Sequence, residues 1–205
     1  MPNESLQVKT SSISGSKKTL EKKVICFEQL WDAYPDDVII HKAEHGSDIF
    51  DNHCAIHLSH ALYLNGILLK GYKGTRCWGC PQANGQGGIH AIRAQELADY
   101  LETQPFAGCP KAIRLSGDTF QENIRGKKGI IFFKDYWRRD GEKNYTGDHI
   151  DLWKGNISTL ASNGWFKTWL RLHLSGLYED YFGVSDLKRS SSVLFWEIHS
   201  CENNN

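Results

Sequence analysis

The sequence predicts an α+β fold, with helices first and an antiparallel sheet after them. Two observations carry this. Apolar residues recur at helical spacing through the first half of the chain, and strand-length apolar or alternating runs fill the stretch after Pro110. The 205 residues suit one ordinary domain, and a domain of this size buries roughly 70% of its unfolded surface without help from disulfides or metals.

Residues 1 to about 20 are rich in Ser and Lys and lack periodicity, so they are expected to form a flexible tail, with 21–201 as a single domain. The last residues, Glu202 to Asn205, have the same character. A first helix is predicted from about Val24 to Ala33, with Phe27, Leu30 and Trp31 on one face and Pro35 ending it. In the segment DNHCAIHLSHALYLNG, Asp51 or Asn52 caps a helix whose stripe is Cys54, Leu58, Ala61 and Leu62, and Gly66 stops it. Gly71 to Gly88 is too rich in turn formers to be regular. A further helix runs from about Ala91 to Leu101, with Ala94, Leu97, Ala98 and Leu101 at i, i+3, i+4 and i+7.

Gly129 to Phe133 reads as a central strand. Gly147 to Trp153 alternates, with Ile150 and Leu152 on one face and His149, Asp151 and Trp153 on the other. Lys154-Gly155 reads as a two-residue turn into Asn156 to Thr159. Between Ala161 and Ser191, Phe166, Trp169, Leu170, His173 and Leu177 fall near helical spacing. The aromatics of this segment, which also include Trp165, Tyr178, Tyr181 and Phe182, either complete the core or stand exposed beside the cleft. Ser192 to Ile198 is the closing strand.

Composition narrows the function. Lys plus Arg and Asp plus Glu are 24 each, so no basic excess marks a nucleic-acid binder. No apolar run reaches the length of a membrane span. The N-terminus has no apolar core of a secretory signal, so export would need another route. Six cysteines are too few for a disulfide scaffold at this length, although one or two bridges fit an oxidising compartment.

Cys54 is the leading candidate nucleophile. A helix N-terminus lowers a thiol's pKa, and His149, later in the chain on a strand, is the candidate base. Helix-borne Cys followed by strand-borne His is the papain-like order. Read from spacing alone, Cys54 suits a small buried apolar position better than a nucleophile. His53, His57 and His60 share its helix and read as solvent-facing or hydrogen-bonded.

Several blocks together resemble a known family. They are Asn52-His-Cys54-Ala-Ile-His-Leu-Ser-His-Ala-Leu62, His90 to Leu101, Gly126 to Lys134, and Gly147-Asp-His149-Ile-Asp-Leu-Trp153, in that order. The chain resembles the fourth family of type VI secretion amidase effectors, which are papain-like, NlpC-type peptidoglycan amidases. The resemblance implies Cys54 as nucleophile and His149 as general base; separately, no cofactor and no metal are expected. The resemblance implies as substrate the γ-D-glutamyl–meso-diaminopimelate bond of peptidoglycan stem peptides. It further implies delivery by the type VI apparatus from the producer's cytoplasm into a rival's periplasm, and a cognate immunity protein as partner. The third triad member stays open. With a turn at Lys154-Gly155, His149 faces Leu160, which cannot orient an imidazole. Asp151, on the same strand face, is the substitute, with Asn163 or a bulge-shifted strand as alternatives.

Two other classes compete. Cys77-Trp-Gly-Cys80, with His90 and Cys109, has the residue types of a Cys₃His zinc site but lacks a second paired motif, so no zinc is expected there. A bridge from Cys77 or Cys80 to Cys109 is the expectation in an oxidising compartment. The other class is a non-catalytic wall-binding or interaction module built on the aromatics between Trp165 and Phe182. Trp78, Trp137 and Trp153 are candidate groove walls.

Overall fold

The computed structural model describes residues 3–9, 17–35, 38–78, 88–138, 142–173 and 185–201, with residues 3–9 and 17–23 described by their backbone alone. Cys80, Leu177, Tyr178, Tyr181, Phe182 and the last four residues lie outside this set.

β1 (Asn3–Lys9) and β2 (Lys17–Lys23) pair antiparallel in a two-stranded sheet of their own, Asn3 opposite Lys23. The sequence reading assigns no regular structure here. The alternation of Leu6 and Val8 with polar neighbours is too brief to stand out from Ser- and Lys-rich surroundings. Three helices follow: α1 (Phe27–Asp32), α2 (Cys54–Leu64) and α3 (Ala94–Glu102). Then come β3 (Ile113–Leu115), the single turn α4 (Phe120–Asn123), β4 (Lys128–Trp137), β5 (Gly147–Lys154), β6 (Thr159–Leu160), α5 (Gly164–His173) and β7 (Ser192–Glu197). The last five strands form one antiparallel sheet in the order β3-β7-β4-β5-β6. This is an α+β fold.

Both faces of the sheet are covered, which is why β4 reads as a continuous apolar run rather than an alternating one. Ile130, Phe132, Ile150, Leu152, Leu194 and Trp196 pack with the buried faces of α1, α2 and α3. Ile131, Phe133, Trp153, Val193 and Phe195 pack with Phe120, Leu172 and Leu187 on the other side. Trp153, read from sequence as a groove wall, is fully buried core.

The two ends of the domain are joined. Cys26 and Cys201 form a disulfide across a separation of 175 residues. Closing a loop of that length contributes about 5 kcal/mol in the chain-entropy account. The Phe27 N–H donates to His199 O at 2.8 Å, and Glu28 accepts from the Cys201 N–H at 2.7 Å and from Lys128 Nζ at 2.8 Å.

Two expectations are corrected, and one open alternative is decided. The turn after β5 is Gly155–Ser158, because Trp153 pairs with Leu160 and Lys154 with Thr159. Cys109 is a free, buried thiol hydrogen-bonded to Leu101 O, so it bridges neither Cys77 nor Cys80. Burial pushes that thiol up to about 12. In α5 the helical spacing holds, and of the two alternatives for its aromatics the exposed one is found. Phe166 is 64% exposed and Trp169 also lies open, while Thr168, Arg171 and Leu172 make the buried face. Periodicity marks a helix with two faces; it does not say which face a wide, aromatic stripe turns inward.

Candidate active site

The site forms where the N-terminus of α2 meets the middle of β5. Cys54 is the first residue of α2. The first helical bond of α2 is His57 N–H to His53 O at 2.7 Å, so the amides of the preceding turn carry the helix's positive end. The N-cap is His53, without a side-chain cap bond, and not Asp51 or Asn52. Those two residues instead line, with Cys54, an open cavity of about 630 Å³. A run of polar residues before a helix offers several cap positions, and sequence does not choose between them.

His149 sits on β5 opposite Phe133. Its Nε2 faces Asp151 Oδ2 at 3.0 Å. That leaves Nδ1 as the ring nitrogen available to the thiol, and His149 is the group that acts most strongly against burial on the Cys54 thiol. Burial alone would raise the Cys54 pKa; the hydrogen bond to His149, its charge and the Ile150 N–H outweigh burial, and the thiol is lowered. Burial alone would lower His149; the Tyr136 hydroxyl, Asp151 and Cys54 outweigh it and raise the imidazole to about 10. Both shifts favour a thiolate beside an imidazolium.

Asp151 is fully buried, with no Lys or Arg hydrogen-bonded to it among the described residues. Its charge is held by donors. The Leu152 N–H donates at 2.7 Å and the Ser162 N–H at 3.3 Å, and the Ser162 hydroxyl makes a short hydrogen bond to Oδ2. Ser162 Oγ also lies 3.4 Å from His149 Nε2. Asn163 donates to Ser162 Oγ at 2.7 Å, one bond removed from the ring. Ser162 is the residue sequence reasoning missed. Sliding the strand after β5 by four residues brings Ser162 beside Asp151 and takes Leu160 away from His149.

The β4–β5 pairing is regular as far as Phe133–His149 and resumes at Trp137–Gly147, two residues longer on β4. This bulge turns Tyr136 toward the site, with its ring 6.4 Å from that of His149. Arg171 of α5 donates to the Tyr136 hydroxyl at 2.6 Å. Gly147 lies under the Trp137 indole, where a Cβ would come within 2.1 Å of the ring, so only glycine lets Trp137 form this wall. Trp78, the third candidate wall, does not line the cavity; it stacks edge-on against Phe50. Of the neighbouring histidines, His53 faces Asp48 at 2.7 Å, His57 lies 3.1 Å from Val38 O, and His60 lies 2.9 Å from His90.

Cys54, His149 and Asp151 thus stand together, with the nucleophile, base and orienter geometry of acyl-transfer chemistry. Residues 50–196, which include all three, match the profile of the family described as type VI secretion system (T6SS), amidase effector protein 4, or Tae4. The chain belongs to the Tae4 family. It is accordingly a hydrolase, a cysteine-type amidase of the type VI secretion effector class. Two solved structures share its fold. The Tae4/Tai4 effector–immunity structure from Salmonella typhimurium is 20% identical, with a TM-score of 0.51, covering 84% of this chain and 97% of that one. Tae4 from Enterobacter cloacae is 21% identical, with a TM-score of 0.56, covering 86% and 98%. No curated protein matches the chain. No described helix is long and apolar enough to cross a membrane.

Proposed function

We propose that this Tae4-family chain is a papain-like, NlpC-type peptidoglycan DL-endopeptidase that cuts the γ-D-glutamyl–meso-diaminopimelate bond of stem peptides. The observation that carries the reading is the His149–Asp151 hydrogen bond on the wall of the cavity that Cys54 also lines, with His149 lowering the thiol. The domain that bears the activity is taken as residues 21–201, a range supported by the disulfide that joins its ends.

In this reading the thiol proton passes to His149 Nδ1, and the thiolate attacks the γ-carbonyl of D-glutamate. The Cys54 N–H, at the positive end of α2, stabilises the oxyanion. His149 then protonates the diaminopimelate amine as it leaves, which gives a thioester. Water, deprotonated by His149, hydrolyses the thioester and releases the γ-carboxylate. Asp151 holds the ring through Nε2, and Ser162 holds Asp151. Lys167 places a cation on the cavity wall, suited to the free carboxylates flanking a γ-glutamyl bond.

The enzyme is made in the producer's cytoplasm and acts in the periplasm of the target cell. A cognate immunity protein must then block the site in kin. The relative from Salmonella typhimurium was solved as an effector–immunity system, and the exposed Trp165 and Phe166 flank Lys167 at the cavity. Large aromatic anchors suit such an interface. Trp165→Ala or Phe166→Ala should weaken inhibition by the immunity protein by roughly tenfold or more, with hydrolysis and Tm little changed. Equal loss of hydrolysis and inhibition, with a fall in Tm, would assign these residues to the fold instead. Digestion of purified cell wall by wild type and Cys54→Ala separates an amidase from a wall-binding module. Soluble fragments should appear with wild type alone, and their release by Cys54→Ala would end the enzymatic reading.

A further inference from the structure

Three segments that take no part in the Cys54 site converge on a second group of metal-ligating side chains. His41 precedes the Lys42–Asp48 bridge. Cys77 and His90 lie across from each other on a paired arm, with Cys77 N–H donating to His90 O at 3.0 Å and Arg76 bridged to Ala91. All three are buried, and one ligand atom from each lies within 4.8 Å of the others. His41 Nε2 is 3.2 Å from His90 Nδ1, and that same nitrogen is 3.6 Å from Cys77 Sγ. In a tetrahedral zinc site, with Zn–N about 2.0–2.1 Å and Zn–S about 2.3 Å, neighbouring ligand atoms stand about 3.3–3.6 Å apart. The Cys77–His90 spacing is that of a tetrahedron edge, and the His41–His90 spacing falls about 0.1 Å short of one.

The surroundings match as well. A metal-bound histidine donates its other ring N–H to a fixed acceptor, and His90 Nε2 lies 2.9 Å from His60 Nδ1 on α2. Cys77 is disulfide-bonded, and a disulfide sulfur is a poor ligand where a thiolate is a strong one.

We propose that His41, Cys77 and His90 form a site for Zn²⁺ when the Cys77 disulfide is reduced, with His60 as a positioning residue. Two imidazoles and a thiolate select a zinc-class ion over Mg²⁺ or Ca²⁺. A phosphine reductant converts the disulfide to two thiols and becomes the phosphine oxide, water supplying its oxygen and the two protons. Zn²⁺ then displaces the Cys77 thiol proton to solvent, and the one proton between His41 and His90 moves to the outward nitrogen of the ring that carries it, which leaves both facing nitrogens with lone pairs. This site differs from the Cys₃His arrangement considered from sequence, because Cys109 lies elsewhere and His41 takes its place.

The test uses the full chain carrying Cys54→Ser, Cys26→Ser and Cys201→Ser, so that neither the Cys54 thiol nor the pair freed from the Cys26–Cys201 disulfide competes. The protein is reduced anaerobically with a phosphine and titrated with Co²⁺ and then Zn²⁺. One Co²⁺ per chain is expected, with tetrahedral d–d absorption and a thiolate charge-transfer band, both abolished by Zn²⁺. The unreduced protein should show neither band. Adding Cys77→Ser should remove the charge-transfer band. His60→Gln should weaken Zn²⁺ binding by about 10- to 100-fold, and His41→Gln or His90→Gln by more. If Cys77→Ser fails to fold, judged by circular dichroism, the histidine variants decide. A reduced protein without the tetrahedral spectrum, a band that survives Cys77→Ser, or wild-type Zn²⁺ affinity in His41→Gln and His90→Gln would overturn the proposal.

Discussion

Hydrolysis of stem peptides should fall by roughly 10⁴-fold or more in Cys54→Ala and by a similar factor in His149→Ala, and the double variant should be scarcely worse than either. The reasoning is that thiol and imidazole act as one proton-sharing unit. Once either is gone, no thiolate forms and nothing protonates the leaving amine. What remains is binding and the amides at the start of α2, which give only weak assistance. Both side chains line the cavity and neither is a buried member of the two cores, Cys54 packing against one of them as a partly buried residue. Tm should therefore change little, which separates lost chemistry from lost folding. Additive losses in the double variant would mean that the two residues act independently.

The second large effect is expected at Asp151. Asp151→Asn keeps the size and one acceptor oxygen but removes the charge that faces His149 Nε2 at 3.0 Å. The amide can turn its NH₂ toward Nε2 and donate to it, where the carboxylate accepted from the ring N–H, and this favours the wrong tautomer. A loss in kcat of roughly 10²- to 10⁴-fold is expected, with KM nearly unchanged. The pH profile supplies a readout that a purely structural role would not move. In the wild type, His149 stays protonated until pH approaches about 10, and the lowered thiol ionises below its usual range. Activity should therefore rise on the acid side as the thiolate–imidazolium pair forms and fall on the alkaline side near pH 10. Removing the Asp151 charge takes away one contribution that raises His149, so the alkaline limb should move to lower pH. An unchanged limb, with activity lost only in step with stability, would reduce Asp151 to a structural role.

Much of this arrangement was legible in the sequence, for identifiable reasons. The α3 stripe is legible because Ala94, Leu97, Ala98 and Leu101 keep one face over two turns, and all four are buried. β5 is legible because its alternation survives burial on both faces. His149 and Asp151 two residues apart on one strand already implied a shared face. The turn after β5 was not legible. Lys154-Gly155 has the look of a tight hairpin, but the chain turns at Gly155–Ser158, with Ser158 at a φ of +45° that no glycine announces. The pairing therefore slides by four residues. An even shift keeps every side chain on its face while changing every partner, so the alternation gives no warning. That is why Leu160 appeared opposite His149 and Ser162 went unnoticed. The meeting of Cys54 with His149 was also beyond spacing alone. It depends on α2 packing against β5, and the family resemblance, rather than periodicity, linked the two residues.

The central claim concerns one bond, and mass spectrometry of peptidoglycan fragments tests it most directly. Purified sacculi are digested with wild-type enzyme or Cys54→Ala, solubilised with a muramidase and analysed by fragmentation. With wild type, stems should end at D-glutamate bearing a free γ-carboxylate, and the released peptides should begin with the amine of meso-diaminopimelate. Cys54→Ala should leave the stems intact. Cleavage at any other bond, or the same fragments from Cys54→Ala, would contradict the claim.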